Sequence, residues 1–237
     1  MVKTENRFDV INILIITCGI VYVASWLFPS LVEQFLFHPA LGLYQPWRFL
    51  TAAFLHSGII HLASNMAFLY ILGQLAKQVM SSFQIVLIYL LSAWAGSLGM
   101  VIWTLLTGQQ NAVVGASGAV MGLCAGVFVY TRNLHGISTS LGGLLIINLL
   151  IGFVIPNVAW QAHLIGALAG AITGWALHLV AVVSGRIVRK KLGQAIPDVV
   201  DRRHAANAVK RTQIIGNALV TVILTTLLLL STLACYL

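Results

Sequence analysis

The sequence predicts an all-α polytopic membrane protein, and three observations carry that expectation. Of 237 residues, 59% are apolar and 8% are charged, and the mean hydropathy is +0.97. Soluble domains carry roughly 25% charged residues. Apolar runs of membrane-crossing length recur along the chain, and the cations gather in alternate links between them. A chain with so little polar surface cannot cover itself against water, so lipid must be its solvent.

A helix needs ~17–25 apolar residues to cross ~30 Å of hydrocarbon. Seven runs serve, at about 10–28, 59–77, 84–106, 116–131, 138–156, 160–183 and 213–236. The fourth is short, and Gly142, Gly143 and Gly152 interrupt the fifth. Lys3 and Arg7 precede the first run, Lys77 follows the second and Arg132 follows the fourth. Arg186, Arg189, Lys190, Lys191, Arg202, Arg203, Lys210 and Arg211 lie between the sixth and seventh. These links hold 12 of the 13 cations, and the opposite links hold only Arg48. The positive-inside rule then sets the N-terminus cytoplasmic and the C-terminus external. A first run too long for a cleavable signal, and a short N-terminal segment without transit-peptide character, point to a bacterial plasma (inner) membrane.

The net charge of +8 is therefore read as a topology signal and a contact with membrane lipid, not as a nucleic-acid surface. The five acids, Glu5, Asp9, Glu33, Asp198 and Asp201, all avoid the middle of apolar runs. That excludes an intramembrane carboxylate relay and a hard-metal site. Cys18, Cys124 and Cys235 are far apart, without metal or CxxC spacing, and read as small packing residues. No cofactor is implied. The first external loop, about 29–58, is rich in aromatics and is expected to lie partly in the interface.

Polar groups inside a span are costly without partners and are functional suspects. The second run opens with His61 and Asn65, preceded by His56; the fourth opens with Gly115-Ala116-Ser117-Gly118; the sixth opens with Ala162-His163. These three runs all travel from outside to inside, so the clusters share one depth. At 1.5 Å per residue, Asn65 lies ~18 Å from Lys77, and Ser117 lies ~22 Å from Arg132. Both values belong to the outer half of the bilayer.

Small residues repeat every fourth position as Gly118, Gly122, Gly126 and as Gly166, Gly170, Gly174. Such stripes let helix backbones approach closely. His163 shares the face of Gly166 and Gly170, and Ser117 adjoins the other stripe. A tight contact between these runs would bring the Ser117 hydroxyl to His163. A neutral imidazole can take the proton of a serine hydroxyl and activate it. With no carboxylate nearby this would be a dyad, not a triad. His61, Asn65 and the amides around Ser117 and Gly118 could hold an oxyanion. A polar cavity open to the outside is expected between the second, fourth and sixth runs, because hydrolysis needs water.

At these residues the sequence resembles the rhomboid family of intramembrane serine proteases. The matching elements are Trp47-Arg48, His56, His61-Leu62-x-x-Asn65-Met66, Gly115-Ala116-Ser117-Gly118 and Ala162-His163-x-x-Gly166. The resemblance implies a six-helix core over residues 1–183, a basic cytoplasmic linker at 184–212 and an additional transmembrane helix at 213–237. It implies Ser117 as nucleophile, His163 as general base, and His61, Asn65, Ser117 and Gly118 at the oxyanion. His56 would structure the loop beside the site, and Trp47 and Arg48 would anchor that loop at the interface. The implied substrates are single-span transmembrane proteins cut near the external face, entering beside the fifth helix. A homo-oligomer is compatible with the sequence.

Two positions depart from the family pattern. Lys77 stands four residues after Gly73, where an acid is common, which puts one structural contact in doubt. Met121 stands where an aromatic often stacks on the catalytic imidazole; a thioether packs more loosely. The alternative to a protease is a catalytically inactive rhomboid-like binder or chaperone. A metal or haem site on His56, His61 and His163 is disfavoured by spacing and by the lack of further ligands.

Overall fold

A computed structural model of the chain describes residues 9–132, 135–155, 158–192 and 199–237. Lys3, Arg7 and residues 193–198 lie outside the described residues, as do the side chains of Arg189, Lys190, Lys191, Arg202 and Arg203. The fold is α-helical, and among the described residues the only β pairing is one antiparallel bridge, Phe37 with Val113. The helices are α1 (Val10–Leu27), the short α2 (Ser30–Phe35) and α3 (Arg48–Thr51), α4 (Ile59–Ala76), α5 (Ser82–Thr107), α6 (Ser117–Tyr130), α7 (His135–Val154), α8 (Trp160–Leu192) and α9 (Val199–Ala234).

Each predicted span falls on a helix. α1, α4, α5, Trp160–Arg186 of α8 and Asn207–Ala234 of α9 are long and apolar enough to cross a membrane. The chain is an integral, multi-pass membrane protein. α6 has 14 residues, or about 21 Å of helix, less than the hydrocarbon thickness. It can be short because Gly118 to Val127 are all buried, so neighbouring helices and not lipid surround it.

Local chemistry sets the ends. The Asp9 carboxylate accepts from the Ile11 amide at 3.1 Å and caps α1. The same carboxylate pairs with Lys77, the C-cap of α4. Lys77 thus ties the N-terminal end of α1 to the C-terminal end of α4, where a positive charge also suits a helix C-terminus. Ser81 and Gln84 form a capping box on α5, and Gly108, at φ +73°, ends it in the left-handed conformation. The 184–212 segment expected as a linker is mostly helix: α8 continues to Leu192 and α9 starts at Val199. Lys, Arg, Leu and Ala keep helical preference beyond the apolar stretch, so the membrane boundary does not stop a helix.

The core is a sandwich of α5, α6 and α8 built on small residues. A Cβ on Gly122 would lie 2.7 Å from the Gly166 carbonyl oxygen, and one on Gly126 would lie 2.8 Å from that of Gly170. In return, Cβ atoms on Gly166, Gly170 and Gly174 would strike the backbones of Gly118, Gly122 and Gly126. The two stripes therefore meet in parallel register, as their spacing predicts. A third small-residue face, on α5, was not anticipated: a Cβ on Gly96 or Gly99 would lie 3.0 Å from the Ala162 or Gln161 carbonyl of α8.

The 29–58 loop is a folded plug and not only an interfacial segment. Arg48 is buried and donates to the carbonyls of Glu33 (2.8 Å) and Leu36 (2.6 Å) and to Gln45 Oε1 (2.5 Å). It is an internal staple at the C-terminal end of α2, which corrects its expected role as an interface anchor. The reason is geometric: a guanidinium fork can satisfy several orphan carbonyls at once. Trp47 and Tyr44 remain exposed, at 49% and 79%, and suit the interface.

Candidate active site

Three helix N-termini converge. Ser117 is the first residue of α6, His61 lies in the first turn of α4, and His163 lies in the first turn of α8. His163 Nε2 stands 2.7 Å from Ser117 Oγ, across the glycine seam between α6 and α8. A proton can move between these atoms without rearrangement. For Nε2 to accept it, the ring hydrogen must sit on Nδ1. That nitrogen is buried and without a hydrogen-bond partner among the described residues. It faces Gly152 of α7, where a Cβ would lie 3.3 Å away.

The turn before Ser117 needs glycine twice over. Gly115 has φ +130°, a conformation L side chains rarely adopt. A Cβ there would also lie 2.7 Å from Cε1 and Nε2 of His61. The His61 ring thus occupies the space the missing side chain leaves. Its Nδ1 is 3.0 Å from Ser57 Oγ, which sets the ring's orientation and leaves Nε2 directed at the turn. The sequence reading missed Ser57; its signal was only a hydroxyl four residues before His61. The first amides of α6, from Ser117 and Gly118, have no carbonyl four residues back inside the helix, and they sit at its positive end.

Asn65 is buried one turn after His61, and its Nδ2 donates to the His61 carbonyl at 3.0 Å. One of its two amide hydrogens is thereby used within α4. His56 is buried, with its ring edge-on to His61 at 5.2 Å between centroids. Burial pushes the His56 imidazole down to about 4, and the neighbouring His61 adds to the shift. Met121 is buried with Ala125 of α6 and Ala167, one turn beyond His163 on α8. Gly166 packs its backbone on that of Gly118. Trp47 and Arg48 belong to the loop and not to the reacting centre.

A small cleft opens at Ser117. Ala52, Gly96, Ser97, Val114 and Ala162 line it, so loop, α5 and α8 form its walls. This cleft is a different one from the polar cavity expected between α4, α6 and α8. α4 contributes no lining, because His61 itself fills the gap beside Gly115, and the walls are mostly small and apolar.

Fold and site together define a class: a polytopic helical membrane protein with a serine–imidazole pair set at the N-termini of two closely packed helices. A model of the rhomboid domain matches residues 43–180, and the chain belongs to the rhomboid family. It is 35% identical over 199 residues to "Rhomboid-like protein 11, chloroplastic" of Arabidopsis thaliana, covering 74% of this chain and 68% of that protein. "RHOMBOID-like protein 6, mitochondrial" of the same plant is 37% identical over 141 residues, covering 56% and 44%. "Rhomboid protease GluP" of Bacillus subtilis (strain 168) is 33% identical over 139 residues, covering 56% of this chain and 26% of the relative. For the latter two, the chain spans less than half of the relative's length.

Proposed function

We propose that this chain is an intramembrane serine endopeptidase that cleaves single-span transmembrane proteins near the external face of the membrane. The observation that carries the reading is the 2.7 Å contact between His163 Nε2 and Ser117 Oγ. Kinship with a protein named as a rhomboid protease supports it. Neutral His163 takes the hydroxyl proton as Ser117 Oγ attacks the scissile carbonyl carbon. The resulting oxyanion is held by the Ser117 and Gly118 amides with His61, and Asn65 joins through its second amide hydrogen. The imidazolium then returns the proton to the leaving amine, and the C–N bond breaks. A water, deprotonated by the same imidazole, releases the acyl group from Ser117 and restores the hydroxyl.

The cation distribution supports a cytoplasmic N-terminus, which sets the starts of α4, α6 and α8 toward the external face. A bacterial plasma membrane is the proposed host, and the side of the core bearing α7 is the proposed substrate entrance. The test uses the purified full chain in liposomes with a fluorogenic single-span substrate. Cleavage by the wild type and its loss in Ser117→Ala and His163→Ala is the expected result. Folded wild-type protein that cleaves no substrate would instead favour a non-catalytic binder.

A further inference from the structure

We propose that the outer end of α9 positions the nucleophile turn, with Tyr236 as a positioning residue acting through the 29–58 loop. The inference rests on the reading of Ser117 as nucleophile. Along 207–237, Thr232 is the only buried residue, so α9 otherwise leans on α8 and α5 with most of its surface toward lipid. Its side-chain hydrogen bonds to other elements, among the described residues, are both at the outer end. Trp94 Nε1 of α5 donates to Thr232 Oγ1 at 3.0 Å, and Tyr236 Oη donates to the Pro39 carbonyl at 2.5 Å. A helix that only anchored would need neither.

From these two bonds a continuous set of contacts leads to the site. Trp94 stacks on Phe49, with centroids 5.0 Å apart and planes at 13°. Cys235 and Tyr236 pack against the buried group that includes Phe37, Phe49 and Ala52. Gly42 leaves the space that the Tyr236 hydroxyl occupies. The loop then holds the backbone leading into the nucleophile turn at two points. Phe37 and Val113 exchange backbone bonds of 3.1 and 2.9 Å, and the Gly115 amide donates to the Ala52 carbonyl at 2.9 Å. Gly115 is two residues before Ser117 and carries the positive φ that sets the turn. Tyr236 is thus tied to the backbone that aims the Ser117 hydroxyl at His163, without touching either.

The test compares full-chain wild type with Tyr236→Phe and Thr232→Val, and with Thr221→Val as a control on α9 away from the loop. Amide exchange over 113–116 and over 37–54 reads the positioning directly. The rate of fluorophosphonate labelling at Ser117, together with kcat and KM, reads its consequence. Loss of one such bond should lower the labelling rate and kcat about fivefold at a temperature well below the thermal midpoint, with KM unchanged, only a modest fall in that midpoint, and exchange at 113–116 faster. Exchange and labelling that match wild type in both variants would overturn the proposal. So would losses that simply follow a lowered thermal midpoint. A wild type that neither cleaves nor labels, while exchange at 113–116 still responds to Tyr236→Phe, would overturn the protease reading and leave the positioning supported.

Discussion

Gly122→Ala tests how far the site depends on the helix seam. The added Cβ would strike Ser92 Cβ on α5 and, at longer range, lie 2.7 Å from the Gly166 carbonyl oxygen on α8, where ordinary contact begins at 3.4 Å. Neither the carbonyl nor a Cβ can rotate away, so α6 must part from α8 by about 0.7 Å and from α5 by more. Gly122 and Gly166 flank the turns that carry Ser117 and His163. A rigid separation would therefore stretch the 2.7 Å Ser117–His163 contact to about 3.4 Å, outside good hydrogen-bond range. Misplacement of this size costs up to about a hundredfold in rate, and overpacking costs about 1–3 kcal/mol of stability. Fluorophosphonate labelling rate and thermal midpoint in detergent measure the two effects. Gly19→Ala, on α1 with nothing within 4 Å of its Cβ, is the control and should match wild type. Wild-type labelling by a folded Gly122→Ala variant would refute the claim that the seam sets the site geometry.

Gly115→Ala combines a positive φ with a collision against His61. It should lose most labelling at Ser117 and about 1–3 kcal/mol of stability; a variant with wild-type kcat would show that the turn can adapt. Arg48→Lys replaces a fork with a point charge and leaves carbonyls of α2 unsatisfied. About 1.5–3 kcal/mol should be lost in thermal unfolding, and an unchanged midpoint would contradict the staple. His56 is held near 4 when folded against 6.5 for the free side chain, so the unfolded chain binds more protons between those values. Stability should be full above pH 6.5 and fall toward pH 4, by up to about 3 kcal/mol. His56→Phe should flatten that decline in midpoint-versus-pH curves, and superimposed curves would exclude His56 as its source.

The spans and the seam were legible because each is written in local periodicity. Apolar runs gave the helices, and glycines at every fourth position gave the faces that meet. Ser117 and His163 could then be paired because each sits beside its stripe at the same depth. Contacts between distant segments left no such trace. Nothing near Arg48 marks the carbonyls of Glu33 and Leu36 as its partners, and nothing near Gly115 marks the Ala52 carbonyl that holds it. A polar cavity was expected beside α4 because polar residues suggest water. The cleft at Ser117 faces Gly96 and Ser97 of α5, whose small side chains look like ordinary packing in sequence. The far extents of α8 and α9 were missed because hydropathy reports where lipid ends, not where a helix ends.

The most direct measurement is peptide mapping of the purified full chain after fluorophosphonate treatment. The expected result is a single phosphonyl adduct on Ser117 that disappears in His163→Ala, while both proteins remain folded. Labelling that is absent from folded wild type, or that persists undiminished without His163, would contradict a Ser117–His163 dyad.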